Sequence, residues 1–421
     1  MTFPSEHDFA LLLFQLFAIL CLAATFGELL RRWSYPSVIG EILTGIILGP
    51  SVLGYVWPEM AATLFPVAHT RYLGSLAWLG SVFLLLLAGT EVDLVVLRKE
   101  RRVVLWTSLL GIVIPYAFGF ALGLRLPDHY LVTPENRTVF ALLLATTLSI
   151  SAIPVVAKIL MDLRLLKTSV GQTIIGSAVV NDFVGWIFFA VLLSLITGGP
   201  GHETSVAGIV ALTLGFATLS LTLGKTLVPR LFLYFHGLDF PAEAILGVAV
   251  LIAFVCSALT QWLGIHAIFG AFLAGVMIGE TGEITNQART ALRHLVFYIF
   301  SPIFFATMGL RTNFVANFDV ALVVIFLAIA CVGKTLGGTC GALAGGKRRG
   351  EALAIAFGVM PQGAMGIILA FSALELSLIS ETVFVALVTT AILTSILSGP
   401  LMKWSLARGT APSSPSTPGR W

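Results

Sequence analysis

Read from its start, the chain is a succession of apolar runs broken by short polar turns. The runs are of the length, roughly 17 to 25 residues, that carries a helix across a hydrocarbon core about 30 Å thick. They predict thirteen spans, at 9–30, 38–54, 72–89, 103–124, 138–161, 170–196, 206–232, 241–262, 265–280, 294–310, 318–345, 352–373 and 382–404. The eighth and ninth are parted only by a short turn at 261–265, so twelve is the competing count.

Two spans carry helix-breaking residues at their middle. The fifth has Thr146, Thr147, Ser149, Ser151 and Pro154, and the twelfth has Pro361, Gln362, Gly363 and Gly366. Seven spans apart, they run in opposite directions, as two six-span halves of inverted topology joined by the seventh span would require. Unwound backbone is tolerated in lipid only where it lines a cavity, so paired interruptions point to a transporter's binding site. Two Pro-kinked packing helices are the plainer alternative.

Composition excludes a soluble domain: 57% of the 421 residues are hydrophobic, only 11% are charged, and the mean hydropathy is +0.99. Charge also orients the spans. With the N-terminus outside, Arg71, Arg125, Arg137 and Arg311 fall on the outer side, Lys158 and Lys334 fall within spans, and the other eighteen of the 24 basic residues fall inside. Merging spans eight and nine would put Lys347, Arg348 and Arg349 outside, which favours thirteen. The start of the chain lacks a basic n-region, so the first span is expected to be retained. Residues 1–404 are expected to form one all-α, polytopic transmembrane domain and 405–421 a short disordered cytoplasmic tail. The expected surroundings are the lipid bilayer of a bacterial-type inner (plasma) membrane. The net charge of +3 is the inner-face excess and gives no support to nucleic-acid binding. Cys21, Cys256, Cys331 and Cys340 lie in apolar spans and read as packing residues.

The chemistry centres on Asp182, which with Asn181 falls at the midpoint of the sixth span. An ionised carboxylate at the bilayer centre costs at least ~2.5 to 3.5 kcal/mol on insertion scales, so it must face a cavity, take a partner or hold a proton. A cation and a proton can therefore compete for it. Thr173, Ser177 and Asn181 recur every four residues on the same helix and form a polar stripe, which reads either as an ion path or as glue between helices. In the eleventh span Lys334 sits near the middle of a run with Gly333, Gly337, Gly341 and Gly345, a stripe that admits another backbone closely. Both interfaces are too far for snorkelling, so Lys334 is expected to modulate the site's charge. Glu41, Glu91, Asp93, Lys158 and His266 read as caps, pairs or anchors, and His294 reads as a solvated interfacial histidine, with sensing of cytoplasmic pH the alternative.

Several motifs together resemble the second branch of the cation/proton antiporter superfamily. They are Tyr35-Pro36-Ser37-Val38-Ile39-Gly40-Glu41 leading to Leu48-Gly49-Pro50, the Val180-Asn181-Asp182 centre, His266-Ala267-Ile268-Phe269-Gly270-Ala271-Phe272, and Gly333-Lys334 before the glycine stripe. The resemblance runs from about Gly27 to Pro400. It implies a homodimer in which a core (about 103–196 and 294–404) moves like an elevator against a scaffold formed by the remaining helices, with two broken helices crossing beside the carboxylate. It also implies that Asp182 binds cation and proton alternately, with oxygens from Thr146 to Ser151 assisting. In members with an Asp-Asp pair the lysine partners the first acid, which here is Asn181. A single carboxylate exchanging one Na⁺ or K⁺ for one H⁺ moves no net charge, so electroneutral exchange without a cofactor is expected. Met360-Pro361-Gln362-Gly363 stands where many relatives have Pro-Arg-Gly-Glu, so the ion pair of those relatives is not expected at the second break. A sodium-coupled organic-solute symporter, or a channel of the same plan, is the alternative. An intramembrane enzyme would want paired acids facing one pocket, and the midplane offers one.

Overall fold

Backbone groups in lipid have no water to bond, and the apolar runs satisfy them internally as helices. The computed structural model describes residues 6–33, 35, 37–66, 70–90, 100–151, 153–166, 168–197, 206–237, 244–263, 267–281 and 286–409. Among these, every regular element is helical: α1 (Glu6–Arg32), α2 (Ser37–Leu48), two short turns at Leu53–Val56 and Pro58–Leu64, α3 (Thr70–Thr90), α4 (Arg101–Arg125), α5 (Arg137–Ser149), α6 (Ile153–Asp162), α7 (Ser169–Thr197) and α8 (Val206–Gly237). There follow α9 (Ala244–Trp262), α10 (Ala267–Thr281), α11 (Asn286–Leu295), a π-turn at Val296–Phe300, α12 (Ser301–Arg311), α13 (Val320–Ala344), α14 (Arg349–Gly358), α15 (Gly363–Glu375) and α16 (Glu381–Gly409).

By length and composition, nine helical stretches among the described residues are long and apolar enough to cross a membrane, and α8, bent by 43°, makes a tenth. The ninth predicted span is the shorter apolar helix α10, and the fifth and twelfth are divided into α5 with α6 and α14 with α15. The chain is an integral, multi-pass membrane protein.

The glycine stripe of α13 sets the closest seam. A Cβ on Gly333 would stand 2.9 Å from Pro115 Cα, one on Gly337 3.0 Å from Gly111 Cα, one on Gly341 2.6 Å from Thr107 Cα, and one on Gly345 2.6 Å from Val103 Cα. Each step of four along α13 meets a step of four backward along α4, so the two helices run antiparallel in close contact from Gly333 to Gly345 and from Pro115 to Val103. A second close seam joins α2 to α12, where a Cβ on Gly45 would lie 2.9 Å from Ala306 Cα and one on Gly309 2.7 Å from Gly45 Cα.

Packing sorts the helices into two groups. α4 to α7 pack with one another and with α13 to α16, while α1 to α3 pack with α9 to α12. α8 touches both groups, through α7 on one side and α9 and α10 on the other. α12 packs on α2 and α3.

Polar ties sit at the two membrane faces. On the face rich in Arg and Lys, Lys347 lies 3.3 Å from Glu100, which accepts from Ser169 Oγ at 2.6 Å, so the starts of α4, α7 and α14 are drawn together. On the opposite face, Tyr130 Oη donates to Asp319 at 2.6 Å while Asp319 caps α13 by accepting from Leu322 N at 3.0 Å. Asn317 Nδ2 donates to Glu381 at 2.7 Å. Arg311 of α12 pairs with Glu375 of α15 at 2.6 Å, bridging the two groups beside Phe371, which meets Trp78 at 6.5 Å and Phe304 at 6.1 Å. The Tyr130 hydrogen bond, helped by the Leu322 amide, lowers the Asp319 carboxyl below its ordinary range.

Two outcomes follow from this packing. Gly341→Leu forces the α4–α13 seam apart and is expected to cost about 1–3 kcal/mol, the usual penalty of overpacking, read as a lowered Tm in detergent. Asp319→Asn is expected to lower Tm at neutral pH. Because folding depresses this carboxyl, its contribution is complete above the ordinary range near pH ~4 and is lost as pH falls through the folded value, so the Tm gap narrows in acid.

Candidate functional site

Proline explains both interruptions. Pro154 has no N–H to offer the carbonyl of residue 150 in a continuous helix; α5 stops at Ser149, Ile150 turns extended at φ −77° and ψ 153°, and α6 starts at Ile153. Pro361 does the same to the carbonyl of Phe357, and the chain re-enters helix at Gly363 with φ +51°, a left-handed conformation that glycine adopts without strain.

Each break leaves helix-end carbonyls without intrahelical partners, deep in a protein surrounded by lipid. Side chains meet them. Phe357 O accepts from Ser398 Oγ of α16 at 2.7 Å. Leu148 O accepts from Gln362 Nε2 at 3.1 Å, and Val359 O accepts from Ser151 Oγ at 2.5 Å. The two breaks thus cap each other reciprocally: a side chain from one closes a carbonyl of the other, which holds the interrupted segments together. Ser149 O accepts from the ammonium of Lys334, which reaches in from α13 with no exposed surface. A fixed cation at the end of α5 meets the negative pole of that helix.

The expected site residues converge here. Asn181 and Asp182 lie on α7, 1% and 2% exposed. Ser151 is the hub: its hydroxyl accepts from Lys334 at 2.8 Å and from Asn181 Nδ2 at 3.1 Å while donating to Val359. One donor and two lone pairs are then all engaged, so in this arrangement Ser151 has no oxygen valence left for an ion. Lys334 does not meet Asn181 directly; the link runs through Ser151, because a neutral amide holds no charge for the ammonium to seek. Asp182 is near enough for its charge to act on Lys334. Thr147 and Ser149 spend their hydroxyl protons on their own helix, at Leu143 O (2.9 Å) and Thr146 O (3.0 Å), which leaves oxygen lone pairs available. Among the described residues, Asn181 Oδ1 and Gln362 Oε1 are buried acceptors with no hydrogen bond.

Of the secondary candidates, Glu41 lies in the other packing group, 3% exposed on α2, where it accepts from Ser301 Oγ of α12 at 2.5 Å. His294 is exposed and rests edge-on against Tyr298. Glu91, Asp93 and His266 lie outside the described residues, as does the side chain of Lys158. Ser398 had no mark in sequence, since nothing about a serine near the end of an apolar run tells which carbonyl it will meet.

Two interrupted helices braced on each other around a buried acid and a buried lysine define a multi-span membrane protein of transporter type. The chain belongs to the sodium/hydrogen exchanger transmembrane family, whose model matches residues 16–408. It is 32% identical to Cation/H(+) antiporter 18 of Arabidopsis thaliana over 95% of this chain and 49% of that protein. It is 30% identical to the Na(+)/H(+) antiporter NhaS4 of Synechocystis over 93% of this chain and 96% of that one. The K(+)/H(+) antiporter 1 of Saccharomyces cerevisiae is 26% identical over 95% of the chain. The chain spans about half the length of the plant relatives it matches. Among solved structures, the sodium proton antiporter MjNhaP1 from Methanocaldococcus jannaschii superposes with a TM-score of 0.65 at 18% identity, covering 94% of this chain and 100% of that one. These relatives are named as transporters, not as enzymes.

Ser151→Ala is expected to strip Val359 O of its donor and Lys334 of an acceptor, lowering stability by about 1–3 kcal/mol, the cost of buried polar groups left unsatisfied. Thermal unfolding in detergent reads the loss, and Ser151→Thr, which keeps the hydroxyl, is expected to recover part of it.

Proposed function

We propose that the protein exchanges a monovalent cation, Na⁺ or K⁺, for protons across a membrane, with Asp182 binding the two in turn. The observation that carries this reading is a pair of interrupted helices, braced on each other, beside the buried carboxylate of Asp182. The relatives named as Na(+)/H(+) and K(+)/H(+) antiporters support it. A dehydrated alkali ion needs oxygens, and Asp182, with the open acceptors of Asn181 and the hydroxyl oxygens of Thr147 and Ser149, offers the donor set. The carboxylate serves either an ion or a proton, so loading one releases the other.

Exchange is electroneutral in this reading. Lys334 is held by a carbonyl and a hydroxyl, neutral groups that also cap a helix end, so it acts as a fixed counter-charge and need not release its proton. Asp182 alone changes occupancy, one proton for one monovalent ion.

Access alternates as α4 to α7 and α13 to α16 move as a core against a scaffold of α1 to α3 and α9 to α12. Packing that is dense within each group, with α8 between, supports this division. Residues 286–311, expected in part to belong to the core, go with the scaffold, because α12 is locked to α2 through the Gly45 and Gly309 seam. The Arg311–Glu375 pair and the Trp78–Phe371 contact would then close one face and have to part when the core moves. The inverted-repeat reading draws support from paired lengths: α4 and α13 each have 25 residues, and α7 and α16 each have 29. The face carrying Lys347 and Arg349 is taken as cytoplasmic. A homodimer through the scaffold completes the proposal, since Phe14 and Phe17 of α1 and Leu251 and Val255 of α9 leave broad apolar surface for lipid or a second copy.

In proteoliposomes containing no organic solute, adding Na⁺ or K⁺ is expected to collapse a preset pH gradient at a rate indifferent to a clamped membrane potential. Asp182→Asn is expected to abolish the response in a protein that still folds. A gradient left untouched by either cation refutes exchange, and a rate that follows the potential refutes electroneutrality.

A further inference from the structure

Helix α6 ends in a left-handed turn, and the residue that takes it is an arginine. Arg164 has φ +56°, a conformation that helix ends usually assign to Gly or Asn. The turn is closed by Leu165 N donating to Leu160 O at 2.8 Å and Leu163 N donating to Ile159 O at 3.0 Å. The backbone therefore fixes where the guanidinium leaves the helix, and that side chain is exposed. Lys403 of α16, also exposed, lies beside it. With Leu163, Leu165 and Leu406, the two cations line a cavity of about 330 Å³. Among the described residues neither cation makes an ion pair or a hydrogen bond.

Position tells what fits. Trp404 follows Lys403 and is 45% exposed, and an exposed Trp at the end of a spanning helix marks the headgroup level of a bilayer. The cavity thus pairs two cations, unpaired among the described residues, with half-buried leucines at the boundary between headgroup and acyl chain. We propose that it binds the headgroup of an anionic phospholipid of the adjoining leaflet. The Arg164 guanidinium forks onto phosphate oxygens, Lys403 adds a point charge, and the leucines receive the first methylenes of the chains. A free inorganic anion would have no use for the leucines, and a zwitterionic lipid carries an ammonium of its own towards the same two cations. The site is independent of the chemistry at the breaks, although α6, whose end it grips, begins at the first of them.

Native mass spectrometry of the full chain, given equimolar phosphatidylglycerol and phosphatidylcholine, is the test. The wild type is expected to retain phosphatidylglycerol preferentially, with inorganic phosphate unable to displace it. Arg164→Asn with Lys403→Gln is expected to lower that retention about fivefold for each charge removed, and Lys403→Arg to preserve it. Asn suits the left-handed turn, so the double variant is built to fold; Lys403→Gln alone, at an exposed position, gives a second reading if it does not. Unchanged preference in the charge-removed variants overturns the proposal. So does displacement by inorganic phosphate, which would mark a site for free anions.

Discussion

A helix broken inside a membrane leaves carbonyls that nothing in the lipid can satisfy, and this protein's central structure is arranged around that requirement. Pro154 and Pro361 make the breaks, and the breaks then need donors. Ser151 and Gln362 supply them to each other's helix ends, Ser398 supplies one from α16, and Lys334 supplies one from α13. Each of these four side chains meets a carbonyl at a break, which braces the interrupted segments on each other and on α13 and α16. Flexible backbone would make a poor ion site; backbone pinned from four directions suits the ion site proposed here.

The same bonds distribute charge. Lys334 faces the negative end of α5, Asp182 lies within reach of its field, and the residue preceding that acid is an amide. In the proposed exchange, one buried cation and one buried anion leave the site balanced when it is empty. Protonating Asp182 and loading it with an alkali ion would then have the same electrical consequence, and either form of the site would carry equal charge. An aspartate in place of Asn181 would add a negative charge beside Ser151 and give the lysine a true ion-pair partner, altering that balance. The amide at position 181 is thus the side chain on which the electroneutral account turns.

Much of this was legible in the sequence. Long apolar runs named the fold class, because an unbroken run of roughly 20 apolar residues satisfies its backbone in lipid as a helix, whereas barrel strands alternate and are shorter. Pro154 and Pro361 located the breaks, since proline's missing donor acts wherever it stands. Gly333 to Gly345, spaced by four, announced a close neighbour, although its identity, α4, and its antiparallel direction could be known only once the register was seen. What stayed hidden depended on distances between residues far apart in the chain. Ser151 read as an ion ligand, and its bonds to Lys334, Asn181 and Val359 could not be foreseen, while Ser398, about 250 residues beyond it, carried no signal. The assignment of α12 to the α2 and α3 side was likewise invisible, because apolar periodicity says that a helix packs without saying on what.

The central claim is that one acid cannot hold a proton and an alkali ion together. Proton release on adding Na⁺ or K⁺ to the purified protein in weakly buffered detergent solution tests it most directly. The account predicts about one proton released per cation bound when the carboxyl starts protonated, and neither binding nor release in the amide variant at position 182. Cation binding without proton release would contradict it.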